Sequence, residues 1–317
     1  MSAALLAPTR VLVTGSSGDL GSALARRLRD DGHVVVGLDP VPGPQTDVVG
    51  SVADRDLVRR TLRDHGLRAV AHCGALHKPQ VATHSRQAFV DTNVTGTLNL
   101  LEESVAEGSE VDRFVFTSTT SLMISKAIRA GVAGGATRAA WITEELSPLR
   151  PRNVYGVTKL AAEHVCRLMH DLHGLPLVIL RTSRFFPEED DMAHAIAQSG
   201  PNTKANEMLF RRMAIEDVVG AHVHALARAP ELGHDTFIVS ARTPFREEHR
   251  EELVADAPAV VKRLFPHYEE IYARRGWTMF DHIDRIYVSE RMATVLGYVP
   301  RVDFARTLDE LAAETPA

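Results

Sequence analysis

A chain of 317 residues that is 44% hydrophobic, 24% charged and 6% aromatic has the composition of a globular protein, which sets aside a disordered chain, a collagen-like repeat and a coiled coil. Its formal net charge of −5 offers no broad positive field, so neither nucleic acid nor an anionic membrane surface is the expected partner. Cys73 and Cys166 are too few for a disulfide framework and read as inert thiols in a reducing compartment. The apolar stretch 3–7 is short for a secretion signal, and no segment approaches the roughly 20 apolar residues that cross a bilayer, so a cytoplasmic location is expected.

In chain order, apolar runs of strand length alternate with helical-period segments. Strands are expected at 11–13, 34–38, 68–72, 114–117, 177–180 and 236–239, and helices at 20–29, 57–65, 89–105, 159–173 and 217–227. The strands are apolar without alternation, as expected when helices cover both faces, so the pattern predicts an α/β protein with a doubly wound parallel sheet. Residues 122–140 lack a clear period and 184–210 are polar, so both are candidate substrate loops beyond strand ends. From 244 the pattern becomes helical, with Leu253, Val260, Val261, Leu264 and Phe265 as a buried face. That predicts a dinucleotide-type domain over 1–183, rejoined by 213–240, and a smaller, mainly helical C-terminal lobe from 184–212 and 241–317.

The first strand runs into Thr14-Gly15-Ser16-Ser17-Gly18-Asp19-Leu20-Gly21. Glycines there permit a tight turn and bring backbone amides close to a pyrophosphate at a helix N-terminus. Asp39 closes the next strand 18 residues after Gly21, near the spacing of an acid that holds adenosine ribose hydroxyls. Either feature alone is also an ordinary turn. Together they favour a dinucleotide, and a carboxylate at 39 favours NAD over NADP by repelling a 2′-phosphate.

Tyr155 and Lys159 lie four apart at a helix opening and so share a face. A lysine ammonium beside a phenol favours the phenolate, a usable proton acceptor. The hydroxyl run Thr117-Ser118-Thr119-Thr120-Ser121 ends the fourth strand and reads either as a polar strand end or as donors that orient a substrate oxygen. His222 and His224, two apart on a helix, point to different faces, and no metal site is expected. Glu144 and Glu145 read as surface residues or as a second acid or base.

On these residues the chain resembles the extended short-chain dehydrogenase/reductases, specifically the NAD-dependent epimerase/dehydratase family that includes the UDP-glucose 4-epimerases. The similarity runs through Gly15/Gly18/Gly21, Asp39, Ala71-His72-Cys73-Gly74-Ala75, Asn93, Thr117 to Ser121, Tyr155 and Lys159, Leu180-Arg181, Glu216-Asp217-Val218 and Leu296-Gly297-Tyr298-Val299-Pro300. It implies a Rossmann fold, NAD as cofactor, Tyr155 as the catalytic base, Lys159 on the nicotinamide ribose, and Thr119 in the place of the catalytic Ser/Thr. It also implies cofactor contacts from Gly15, Ser17, Gly18, Asp19, Leu20, Gly21, Asp39, Gly74, Ala75, Asn93 and Thr117.

Where sugar-nucleotide epimerases carry Arg-x-x-Asn before an aromatic, Gly and Pro, this chain has Arg181-Thr182-Ser183-Arg184-Phe185-Phe186-Pro187-Glu188. Arg184 therefore replaces an asparagine that helps hold a nucleotide diphosphate, and an arginine there suits phosphate or carboxylate. Arg211 could serve the same purpose. Substrate contacts are expected from Thr119, Thr120, Arg184, Asn206 and Arg212. The Arg184 to Arg211 stretch is shorter, and the Thr119 to Tyr155 stretch longer, than the family pattern, which implies a rebuilt pocket. The expected activity is oxidation of a secondary alcohol by hydride transfer, with epimerisation of a sugar or sugar nucleotide as the leading outcome. Net dehydrogenase or reductase action on a small hydroxy or keto compound is the alternative, and a non-catalytic NAD(P) sensor the remote one. A homodimer built on helices 89–105 and 159–173 is what the resemblance implies.

Overall fold

The computed structural model describes residues 6–185 and 198–314; Phe186, Pro187 and Glu188 of the Arg181 segment lie outside the described residues, as do residues 3–5 of the first apolar stretch. Seven strands form one sheet: β1 (Arg10–Thr14), β2 (Val34–Asp39), β3 (Val48–Val49), β4 (Ala69–His72), β5 (Arg113–Thr119), β7 (Leu177–Thr182) and β8 (His234–Val239). Their order is β3-β2-β1-β4-β5-β7-β8, and every pairing is parallel. The chain moves outward from β1 to β3 and then restarts at β4 on the other side of β1. The sheet therefore has its topological switch between β1 and β4, where a crevice opens beyond the strand ends.

Both faces of the sheet are apolar because alternate residues of each strand enter different cores. Val13, Val115, Val178 and Leu180 pack with α1 (Asp19–Asp30) and α8 (Ile215–Leu232). Leu12, Phe114, Phe116, Leu177 and Ile179 pack with α2 (Arg55–Asp64), α4 (Gly96–Val105) and α6 (Val154–His173). Each fully buried side chain of this size contributes about 1.5–3 kcal/mol. The doubly wound Rossmann-like sheet is the one the apolar runs predict.

Three local differences from the sequence expectation bear on the site. The predicted helix 89–105 is divided into α3 (Arg86–Val90), a π turn over Asp91–Thr95, and α4. Helix α6 begins at Val154, five residues earlier than predicted, because the Asn153 side chain caps it by accepting the Gly156 N–H at 2.8 Å. Finally, the aperiodic stretch after β5 contains α5 (Lys126–Ala130) and a short strand β6 (Ala140–Ile142), which leaves the main sheet and pairs in parallel with β9 (Arg285–Tyr287).

The C-terminal helices are α9 (Arg250–Ala255), α10 (Ala257–Leu264), α11 (Tyr268–Ala273), α12 (Glu290–Thr294) and α13 (Phe304–Ala313). Leu253, Val260, Val261, Tyr272 and Phe304 form a core there with Leu209 and Phe210, which follow α7 (Gly200–Glu207). Ala139, just before β6, joins this core, so the stretch after β5 spans from the sheet to the lobe. Gly131, at φ +50°, is approached so closely by Asp284 that a Cβ would sit 2.2 Å from its carboxylate, which docks the α5 segment against the start of β9.

Candidate active site

A cleft of about 1150 Å³ runs along the C-terminal ends of the strands, from the turn after β1 to the lobe. At one end, Gly15 (φ +72°) turns the chain beneath Gly74, and a Cβ on Gly15 would lie 2.7 Å from the Gly74 backbone. A Cβ on Gly21 would lie 2.0 Å from the Gly15 carbonyl oxygen, so this crossing tolerates only glycine at both positions. Asp39 is buried at the end of β2, where its carboxylate accepts the backbone N–H groups of Ser17 (3.1 Å) and Val41 (2.8 Å). Gly15, Ser17, Gly18, Asp19, Leu20, Gly21, Asp39, Gly74, Ala75 and Thr117 all line the cleft, and the backbone cradle with its carboxylate fits an adenine dinucleotide.

Asn93 is placed differently from the expectation that it touches the cofactor. It is 1% exposed, its amide donates to the Leu76 carbonyl (2.9 Å) and Thr158 hydroxyl (3.1 Å), and its oxygen accepts the Leu76 N–H (2.8 Å). The π turn aims this side chain at the backbone after β4, so Asn93 fixes the loop that follows Gly74 and Ala75.

Tyr155 sits in the first turn of α6, and the register that pairs Thr119 with Thr182 brings Thr119 to the end of β5 facing it. Both side chains line the cleft, and the Thr119 hydroxyl is the neighbour that favours ionisation of the Tyr155 phenol. Burial pushes the phenol up to about 12, with the Thr119 contact pulling the other way. Lys159, one turn further on, is 2% exposed, lies 3.9 Å over the Phe116 ring, and is brought down to about 8 by burial. The sequence expectation of a phenol lowered by its lysine is therefore not what the protein alone displays, because desolvation acts on both groups and the ammonium influences Cys73, Cys166 and His72 instead.

Sequence reasoning passed over the groups behind these three. Glu163, a turn beyond Lys159, accepts the Ser118 hydroxyl at 2.5 Å and pairs with Arg181 at 2.8 Å, all of them buried. His222 Nδ1 faces the Val218 carbonyl at 2.8 Å and so carries the proton, leaving Nε2 to accept from the Thr117 hydroxyl at 2.8 Å. Burial holds His222 down to about 4, which keeps that acceptor neutral. His224 instead faces the Gly220 carbonyl and Tyr298, and no cluster of potential metal ligands occurs among the described residues. Glu144 lies away from the cleft beside Arg181 and Arg291, with its carboxylate accepting the Ile238 N–H at 2.9 Å.

At the lobe end, Thr120 and Arg184 line the cleft. Arg184 is one of three arginines around the fully buried Glu207, at 3.1 Å, with Arg211 and Arg212 each at 2.8 Å. Arg211, not Arg212, lines the cleft; Arg212 is turned inward against Glu207. Asn206 does not reach the cleft either. It is fully buried, donates to the Thr278 carbonyl at 2.8 Å and accepts from the Tyr272 hydroxyl at 2.9 Å, satisfying its amide inside the lobe. Arg129, Arg152, Arg285 and Tyr287, none of them anticipated, complete this wall.

A glycine cradle at a β1/β4 switch, an acid at the end of β2 and a Tyr-Thr-Lys group beyond β5 define a dinucleotide-dependent α/β protein of the short-chain dehydrogenase/reductase type. The model of the NAD dependent epimerase/dehydratase family matches residues 11–239, and the chain belongs to that family. Among curated relatives, the UDP-glucose 4-epimerase of Azospirillum brasilense is 32% identical over 55% of this chain and 49% of its own length. The 3 beta-hydroxysteroid dehydrogenase/Delta 5-->4-isomerase of Mycobacterium tuberculosis is 29% identical over 68% and 53%. The chain thus spans about half the length of these relatives. Among solved structures, a short-chain dehydrogenase/reductase superfamily protein from Agrobacterium tumefaciens with bound NAD has a TM-score of 0.67 and 25% identity, covering 96% of both chains.

Proposed function

We propose that the protein is an NAD-dependent enzyme that oxidises a secondary alcohol carbon of a sugar or sugar nucleotide, with epimerisation as the net outcome. The observation that carries this reading is the convergence of Tyr155, Thr119 and Lys159 in the one cleft that holds the glycine cradle. When bound, NAD would supply the hydride acceptor, and epimerisation would follow from return of the same hydride to the opposite face of the retained ketone. Tyr155 would accept the proton of the substrate hydroxyl, Thr119 would hold the same oxygen in place, and Lys159 would hold the nicotinamide ribose. Asn93 positions the loop after β4, and Glu163 and His222 fix Ser118 and Thr117 from behind.

The named activities of the relatives support both an isomerase and a net dehydrogenase, and Arg184 in place of the epimerase asparagine suits a phosphate or a carboxylate in either case. Incubation with NAD and a panel of sugars and nucleotide sugars separates them. An epimerase gives a product isomer without net nicotinamide absorbance change, whereas a dehydrogenase gives a stoichiometric rise. Neither signal from any substrate would overturn the enzymatic reading and leave an NAD(P) sensor. The assignment of 1–183 with 213–240 to cofactor and of 184–212 with 241–317 to substrate remains our proposal, with β6 added to the substrate side. The exposed Val90, Val157, Leu168 and Leu172 of α3 and α6 support a homodimer through these helices. No helix among the described residues is long and apolar enough to cross a membrane, and we place the protein in the cytoplasm.

The Asp39 carboxylate is expected to make NAD bind more tightly than NADP. Asp39→Asn keeps the shape and removes the charge, which should narrow the ratio of dissociation constants about fivefold, the effect of about 1 kcal/mol of repulsion at close range in water. Fluorescence titration with both cofactors measures it, and an unchanged ratio would clear Asp39 of any selecting role.

A further inference from the structure

The chain between β2 and β3 folds back over the strand it has just left. A Cβ on Gly37 would lie 1.8 Å from the Gln45 carbonyl oxygen, and one on Gly43 would lie 2.6 Å from the Ser17 hydroxyl oxygen, so the loop touches both β2 and the turn after β1. Its far end is fastened by Asp47, whose carboxylate accepts the Gly37 N–H at 2.8 Å, whose own N–H donates to the Gly37 carbonyl at 2.9 Å, and which pairs with Arg29 at 2.7 Å. Its near end is fastened by hydroxyls. Ser17 Oγ lies 2.5 Å from the Val41 carbonyl, Thr46 Oγ1 lies 2.8 Å from Ser17 Oγ, and Ser16 Oγ lies 2.7 Å from Thr46 Oγ1. A carbonyl only accepts and each hydroxyl has one proton, so the chain runs one way: Ser16 donates to Thr46, Thr46 to Ser17, and Ser17 to Val41. The Val41 N–H in turn donates to Asp39 at 2.8 Å.

We propose that Thr46 is a positioning residue for cofactor specificity: its hydroxyl clasps the 40–46 loop beside Asp39, so that the space next to the adenosine ribose admits a hydroxyl and shuts out a 2′-phosphate without relying on the Asp39 charge. The inference rests on the reading of the cleft as an NAD site and adds how this chain tells the two dinucleotides apart. Pro40 and Val41 line the cleft, whereas Ser16, which starts the hydroxyl chain, is fully buried. Pro40, Pro42 and Pro44 each fix a backbone φ, so a loop anchored at Val41, Thr46 and Asp47 has little freedom left to move aside. Two acceptors, the Asp39 carboxylate and the Val41 carbonyl, meet at Ser17. A ribose hydroxyl has a proton to donate to such a place. A dianionic phosphate has none, and would lose hydration there without gaining a partner. Among the described residues of the β1 turn and the β2 loop that line the cleft, none is a lysine or an arginine.

The test is fluorescence titration of the whole chain with NAD and with NADP in the absence of substrate. Thr46→Val keeps the shape and removes the hydroxyl, which should lower the ratio of the NADP to the NAD dissociation constant by about fivefold, the effect of one neutral hydrogen bond. Thr46→Ser restores the donor and should return the ratio to that of the wild type. Where Thr46→Val does not fold, Ser16→Ala removes the first donor of the same chain and carries the same expectation. Asp39→Asn combined with Thr46→Val should lower the ratio beyond either change alone. Backbone amide exchange over 41–47 in the cofactor-free protein should quicken in Thr46→Val and not in Thr46→Ser. An unchanged ratio, unchanged exchange, or a double variant no different from Asp39→Asn overturns the proposal. Binding of neither cofactor by the wild type would overturn the NAD reading along with it, so the wild-type titration tells the two failures apart.

Discussion

Tyr155→Phe is expected to lower kcat by about 10²–10⁴-fold, the range for loss of a positioned general acid or base, while leaving NAD affinity near wild type. The phenyl ring keeps the packing at the start of α6 and removes only the phenolic hydroxyl. Wild-type pH behaviour follows from the same geometry. The competent form needs Tyr155 deprotonated and Lys159 protonated, and burial places these groups at about 12 and about 8 in the protein alone. Below about 8, each rise in pH increases the phenolate fraction while the ammonium stays charged, so log kcat/KM for alcohol oxidation should climb with unit slope. Above it, gain of phenolate is cancelled by loss of ammonium, and the profile should level. Full turnover by Tyr155→Phe would remove the phenol from the chemistry, and a profile still climbing well above 8 would remove the need for the Lys159 charge.

Glu207→Gln should produce the largest loss of stability. The carboxylate is fully buried between Arg184, Arg211 and Arg212, and removing one partner of a buried ion pair costs about 3–5 kcal/mol because the remaining charge stays desolvated. Burial alone would raise the Glu207 pKa, but the three guanidiniums, Arg211 foremost, outweigh it and hold the group below the ordinary carboxylate value. Its folded-state pKa is thus depressed. The contribution is fully present above the unfolded carboxylate pKa, about 4.3, and is lost as pH falls through the lower folded value. Urea unfolding at pH 7 and at pH 4 measures both effects: the variant should be much less stable at neutral pH, and its deficit should shrink in acid. A deficit under 1 kcal/mol at pH 7 would mean that the arginines find other counter-charges.

Much of this architecture was legible in the chain because it depends on local pattern. Strands such as 114–117 and 177–180 are apolar on both faces and bounded by helices, and Gly15, Gly21 and Asp39 declare the cofactor end by spacing alone. The lobe end was not legible. Strands β6 and β9 are three residues long and pair across more than a hundred residues, too short for a hydrophobic period to announce them. Nothing in the sequence therefore pointed to Arg129, Arg152 and Arg285 meeting at one wall of the cleft. Asn206 and Arg212 erred the other way: polar residues near a loop suggest ligand contacts, yet buried partners, Tyr272 with the Thr278 backbone and Glu207, satisfy them inside the fold. The protonation state of Tyr155 was also hidden, since spacing reports the neighbouring lysine and not the desolvation that acts against it.

The junction of Ala140 with Arg285 has a further consequence for how the molecule matures. Closing so long a loop is entropically slow, so the two-stranded ribbon should form after the main sheet has condensed. During synthesis, a nascent chain that ends before β9 already contains every residue of the nucleotide cradle but has no arginine at 285 and no partner for β6. The glycine cradle and the β6–β9 ribbon at the lobe end are thus completed at different times, the second only once the C-terminal portion has emerged.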